Sequence, residues 1–457
     1  MRRSALFITA LAMAAACSQP RSLTPAAQAG GEHEKRAEAL VVQSRWAQAL
    51  RVLDEGVARA RARGDRAGEA TLLLARGRAR NDQIRHRGGD PAPALADLEA
   101  GRRLAEAAGD QELTALAADA AGMQRYTTWF SSQKAEDLAA ADRMFRRALA
   151  LRAPRGDAPV LADSEFHVGL VHQMRGEREQ ARSRFEAALR IAERLRDPLR
   201  ASYALRHLGY MAQLRGDARA AEDGYRRSFE LRERAGAGIG VGAALLTLTE
   251  FRYERDGDAE RAWPHLARAL AVSEQVGSAP YAAKVQAAMG RVRRDQARYD
   301  EALRHFTAAV AAMDRIGSDE DVPESLEQMA LLHLLRGDPA AAAAPIGRAL
   351  AGRPTPRLAA LAALVRARGG AVAAAAAPAD TGDGVVAARL ALAAGRAGAA
   401  LESALAGDEP DTLALAAQAA ARAGRADALE RARVAAAALS RAQELRFARL
   451  AGSSAAP

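Results

Sequence analysis

Cysteine is almost absent from this chain: of 457 residues, Cys17 alone carries a thiol. One thiol excludes an intramolecular disulfide framework, a zinc site built on two or more thiolates and an iron–sulfur cluster. Lysine is nearly as scarce, at positions 35, 134 and 284, and asparagine occurs only at 81. Aromatic residues make up 4% of the chain. Few Lys and Asn beside abundant Ala, Arg and Gly is the bias of a GC-rich coding sequence. The net charge of +10 therefore implies a partner only if its placement is one-sided.

The N-terminus reads as an address. Arg2 and Arg3 precede an apolar stretch from Ala5 to Ala16, too short for the roughly twenty residues of a membrane-spanning helix. The order charged segment, apolar segment, small residues is that of a signal peptide. Ala14-Ala15-Ala16-Cys17 resembles a bacterial lipoprotein signal, which implies cleavage before Cys17 and lipidation of its thiol. The usual Leu three positions before the cysteine is Ala14 here, so an ordinary signal peptidase can compete for the site. Loss of the two arginines leaves +8. Ser18 after the cysteine implies an outer-membrane lipoprotein facing periplasm or surface, the alternative being a soluble periplasmic or secreted protein. The expected order is a signal peptide over 1–16, the lipidated Cys17 and a flexible tether over 17–31, a repeat array over 32–356 and an Ala-rich region over 357–457.

The array shows itself by a forty-residue step. Gly169, Gly176, Ala181, Phe185 and Ala188 recur as Gly209, Gly216, Ala221, Tyr225 and Ser228. The series goes on through Gly290, Ala297, Ala302, Phe306 and Ala309, then Ala330, Gly337, Ala342, Ile346 and Ala349. Gly77 and Gly122 extend it backward, and Glu250 breaks it where a small residue is due. A small residue at a helix crossing lets an antiparallel pair approach, and a large apolar residue four positions after the second small one fills space against the neighbouring repeat. The pattern resembles the tetratricopeptide repeat. That resemblance implies an all-α, right-handed superhelical solenoid of about eight repeats, closed by an Ala-rich helical C-terminal cap.

Two repeats depart in length. Gly77 to Ala94 is 17 residues and Gly122 to Ala141 is 19, against 12 elsewhere. Long projecting turns are expected around Arg87–Pro93 and Thr128–Asp137, the second carrying Trp129 and Phe130, a candidate contact whose favoured reading is burial against the next repeat. Pro264 and Pro345 fall inside second helices, where late starts or bends are expected.

Four Arg-Gly-Asp tripeptides, at 63–65, 155–157, 215–217 and 336–338, read as helix stops and caps rather than adhesion motifs. The eight histidines lack metal-ligand spacing, and no phosphate loop, nucleophile elbow or Cys–His pair is present. An enzyme is not expected, nor a cofactor or metal. Arginine alternates with Asp and Glu along the helices, a solvated pattern rather than a nucleic-acid footprint.

The resemblance places the first helix of each repeat along a concave groove. On this chain that implies a protein- or peptide-binding strip at Phe166, Tyr203, Arg206, Tyr210, Thr247, Phe251, Lys284, Arg291 and Arg294. Rings supply rigid contact area and Arg can fork onto a carboxylate. The two-Asn carboxylate clamp of chaperone-tail binders cannot be built from the lone Asn81. The expected function is an envelope-anchored scaffold without catalysis. The runners-up are a peptide- or ligand-responsive sensor and an enzyme with an unrecognised site.

Overall fold

Ala, Leu, Arg and Glu are strong helix formers, and the segments they dominate fold as seventeen α-helices between Gly31 and Ala367. In chain order these are α1 (Gly31–Val42), α2 (Trp46–Ala62), α3 (Arg66–Arg87), α4 (Ala92–Ala108), α5 (Gln111–Ser132) and α6 (Ala135–Arg152). Then come α7 (Pro159–Met174), α8 (Arg178–Arg194), α9 (Pro198–Leu214), α10 (Ala218–Arg234), α11 (Gly238–Asp256) and α12 (Ala259–Val276). The last are α13 (Ala279–Asp295), α14 (Tyr299–Asp314), α15 (Val322–Leu335), α16 (Pro339–Gly352) and α17 (Pro356–Ala367). This computed structural model describes residues 31–367 apart from 157, 319–321 and 353, and no strand occurs among them. The expected signal peptide, Cys17, the expected tether up to residue 30 and the Ala-rich region after 367 lie outside the described residues.

The fold is an all-α, tetratricopeptide-like solenoid in which odd-numbered helices are the first of each pair. The pairing follows from the glycine pattern. A Cβ built on Gly122 would fall 2.7 Å from the Phe145 ring, and one on Gly169 2.7 Å from Phe185. The same crossing sets Gly77 on Leu98 and Gly290 on Phe306. The large residue thus seats on the glycine of its own repeat, where the sequence had suggested the neighbouring one.

The helix caps follow the tripeptides. Gly64, Gly216 and Gly337 all take positive φ, and Asp65, Asp217 and Asp338 accept backbone N–H bonds from the first turns of the helices that follow. The Asp157 cap lies outside the described residues.

Both long turns are absent. The extra residues lengthen α3 and α5 to 22 residues each, leaving short connections of 88–91 and 133–134. Helix continues there because the added residues, including Gln83, Ile84 and Tyr126–Phe130, carry no breaker until Gly88 or Gln133. Trp129 and Phe130 are accordingly half-buried on a helix, in ring contact with each other and with Tyr126. Helices α12 and α16 contain Pro264 and Pro345 and begin at Ala259 and Pro339, so the expected late starts do not occur.

The described residues form two compact units: 31–248 with Ala271–Ser278, and Thr249–Leu270 with 279–367. In the second, α17 seats Leu358, Leu361 and Val365 on a core containing Ala330, Ala342 and Ile346.

Candidate functional site

The expected strip falls in both units, with two different environments. In the first unit, Phe166, Tyr203, Arg206 and Tyr210 are all buried. Phe166 packs against Phe185 (ring centroids 5.5 Å apart), Tyr203 (6.2 Å) and His207 (5.1 Å). Offset and edge-on stacking of this kind holds helices together. It explains why an aromatic-poor chain concentrates its rings in α5 to α10. Thr247 is half-buried and its hydroxyl bonds the Ala243 carbonyl of its own helix.

Polar groups among these rings tie one first helix to the next. His167 Nδ1 lies 2.7 Å from Asp119, and His207 Nδ1 2.8 Å from Gln173. Arg200 forks onto Asp163 with two 2.9 Å bonds and also meets Asp197. Arg206 donates to the far nitrogen of His207, and the Arg232 guanidinium lies 4.5 Å from the centre of the Tyr203 ring. Burial first, and then Arg206 and Arg232, push the His207 pKa well below its ordinary value, so the imidazole is neutral at pH 7. The first unit spends these residues on holding itself together.

The second unit differs. Phe251 and Arg294 are again buried, the arginine bonded to Asp295 and Gln328. Lys284 and Arg291, however, are only half-buried. Arg291 bonds Glu250 on α11 and approaches Glu324 on α15 at 3.6 Å. A charged ladder therefore crosses three successive first helices, acid to base to acid. Glu250 stands where the repeat calls for a small residue, so the break in the pattern is the upper rung of the ladder.

Glu254, one turn beyond Glu250, is exposed. Its carboxyl is pushed up to about 7, by desolvation first and by the Glu250 carboxylate second, with Arg291 opposing; its open surface lets solvent moderate the shift. Burial likewise raises Glu250 against the pull of Arg291 and Lys284. Burial disfavours the Arg291 charge, but Glu250, Glu324 and Glu254 together leave its pKa raised.

Of the nine expected residues, the structure leaves Thr247, Lys284 and Arg291 partly open. It adds Glu250, Glu254 and Glu324, which the aromatic-and-basic criterion passed over. Among the described residues no group of three His, Cys, Asp or Glu could hold a metal ion, and no helix is long and apolar enough to cross a membrane.

The tetratricopeptide-repeat family matches residues 281–355, which include the lower part of the ladder. No curated protein sequence matches the chain. Among solved structures, the apo form of RapI is similar at a TM-score of 0.50 and 12% identity, over 84% of this chain and 97% of that one. The apo quorum sensor NprR from B. thuringiensis scores 0.47 at 11% identity, over 75% and 94%. A signal transduction ATPase with a tetratricopeptide-repeat sensor, from Pyrococcus horikoshii, scores 0.47 at 12% identity, over 84% and 52%. The likeness to RapI is one of fold alone.

Proposed function

We propose that the protein is a non-catalytic adaptor that binds a protein or peptide partner at the first-helix face of its second unit, centred on Glu250, Glu254, Lys284, Arg291 and Glu324. The observation that carries this reading is the ladder itself. Half-buried Glu250, Lys284 and Arg291 stand beside exposed Glu254 and Glu324 across three helices, and partly buried charges hydrogen-bond more strongly than charges on a flat surface. Arg is also, with Trp and Tyr, enriched at the energetic centres of protein interfaces. The aromatic part of the strip belongs to the helix packing, and the binding role passes to the charged part.

The adaptor is further proposed to be held at the bacterial envelope by an acyl chain on Cys17, following the Ala14-Ala15-Ala16-Cys17 segment. Affinity capture from membranes tests the site. The wild type should retain a partner that Arg291→Glu and Glu254→Lys each lose by tenfold or more, with helicity unchanged. Equal capture by all three proteins would sink the site. Metabolic acyl labelling that is abolished by Cys17→Ser supports the anchor, and equal labelling of both chains refutes it.

A further inference from the structure

Repeat proteins make contacts between neighbours, so residues nearly two hundred positions apart are not expected to touch. In the first unit they do, twice. Ser44, in the α1–α2 turn, accepts the backbone N–H of Ile239 at 3.0 Å, a separation of 195 residues. His86 lies 2.8 Å from the Ser278 hydroxyl across 192 residues, and Arg87 donates to the Val276 carbonyl at 2.8 Å across 189. Each separation is close to five repeats of forty. Residues 271–278 belong to the first unit through this second set of contacts.

The fit at both places is specific. Gly238 has φ +33, and a Cβ there would fall 2.4 Å from Ser44 Oγ and 2.7 Å from the Gln43 backbone. Ser44 itself is buried and sits at φ 61, a left-handed conformation uncommon for a serine. At the other clasp, Trp46 stacks on His86 (4.8 Å, 17°) and Arg87 lies over the Trp46 ring at 5.3 Å. Gly277, at φ +70, leaves only 3.3 Å between a would-be Cβ and Arg87 Nε.

His86 and Arg87 are the last two residues of α3, in the stretch that makes Gly77 to Ala94 five residues longer than the common spacing. We infer that this extension of α3 is a latch: it closes five repeats of the first unit into one superhelical turn, with Ser44–Ile239 and His86–Ser278 as two clasps of one closure. A superhelix whose successive turns touch has no open side, so the inner face of these repeats is reached only from its ends while the latch is shut. Across the closure run the hydrogen bonds of Ser44, His86 and Arg87 and the close seat of Gly238 on the Gln43 backbone, against continuous apolar packing between neighbouring repeats. Contacts so few belong to the part of a structure that opens first.

Deleting residues 83–87 restores the ordinary 12-residue spacing and removes the latch without touching a glycine crossing. The milder Arg87→Glu changes one exposed side chain and places a carboxylate against the Val276 carbonyl. Hydrogen exchange and small-angle X-ray scattering on the full chain read the result. The latch predicts at least tenfold faster exchange at the Ile239 amide in the deletion variant, a larger radius of gyration and unchanged helicity. Arg87→Glu should show the same changes to a smaller degree. An Ile239 amide that stays protected in both variants would overturn it. So would faster exchange confined to residues 276–278, because the two clasps would then be separate local contacts.

Discussion

The two units use their first helices in opposite ways. In residues 31–248 the first helices carry Phe166, Tyr203, His207 and Arg200 inward, where each is buried and paired or stacked. From Thr249 on, the first helices carry Glu250, Arg291 and Glu324, a bridged ladder that solvent partly reaches. The difference teaches how a repeat divides its work. Where ring packing fills the crossing, the strip is structural. Where a carboxylate takes the place of a small residue, side chains stay within reach of water.

The sharpest way to break the comparison is at the packing. Phe185→Ala removes the ring seated on Gly169 and beside Phe166, and should cost the first unit about 3–5 kcal/mol, read as a fall in its urea midpoint. A matched pair of arginines comes next. Arg200→Ala leaves the buried Asp163 carboxylate alone and should cost about 3–5 kcal/mol. Arg291→Ala should cost only roughly 1–2 kcal/mol, because water reaches the Glu250 left behind, while partner capture falls tenfold or more. If the two substitutions cost the same stability, the distinction between the units fails.

Titration should act with opposite sign on the two. His86 and His207 have pKa values well below the ordinary one in the fold, so the first unit holds its stability above about pH 6.5 and loses it as pH falls, when the unfolded chain takes up protons that the fold refuses. For His86 the opposing charges are Arg85 and Arg87, with Ser278 and Trp46 facing the ring. Glu254, raised to about 7, does the reverse: its contribution is full below the unfolded carboxyl value and is lost as pH rises towards 7. Amide exchange in α9 should therefore quicken from pH 7.5 to 5, after correction for intrinsic rates, and Glu254→Gln should flatten the dependence in α13. The smallest effect expected is at a cap: Asp217→Ala should cost about 1 kcal/mol and leave capture unchanged.

The glycine crossings were legible in the sequence, because a glycine and a ring sixteen residues apart recur as Gly122–Phe145, Gly169–Phe185 and Gly290–Phe306 with only the α5 insertion altering the spacing. The caps at Asp65, Asp217 and Asp338 were legible for the same reason: turn chemistry is local. The longer spacings were visible, but their form was not. Extra residues without a breaker extend a helix as readily as they make a loop, and only tertiary contacts at His86 and Arg87 show what the extension of α3 touches. The site was half legible. Arg291 and Lys284 stood out by position, whereas Phe166 and Tyr210 have the composition of a binding strip and the surroundings of a core. Glu250 was visible only as an exception, since its meaning depends on Arg291 forty-one residues later.

A solenoid is usually free to gain or lose a repeat, because each copy answers only to its neighbours. The bond between Ser44 and Ile239 removes that freedom. Duplication or loss of one forty-residue copy between them would carry Gly238 away from the Gln43 backbone and His86 away from Ser278 together. The first unit therefore counts its own repeats: its length is specified by a contact, and a change in copy number would register at once as a turn that no longer meets itself.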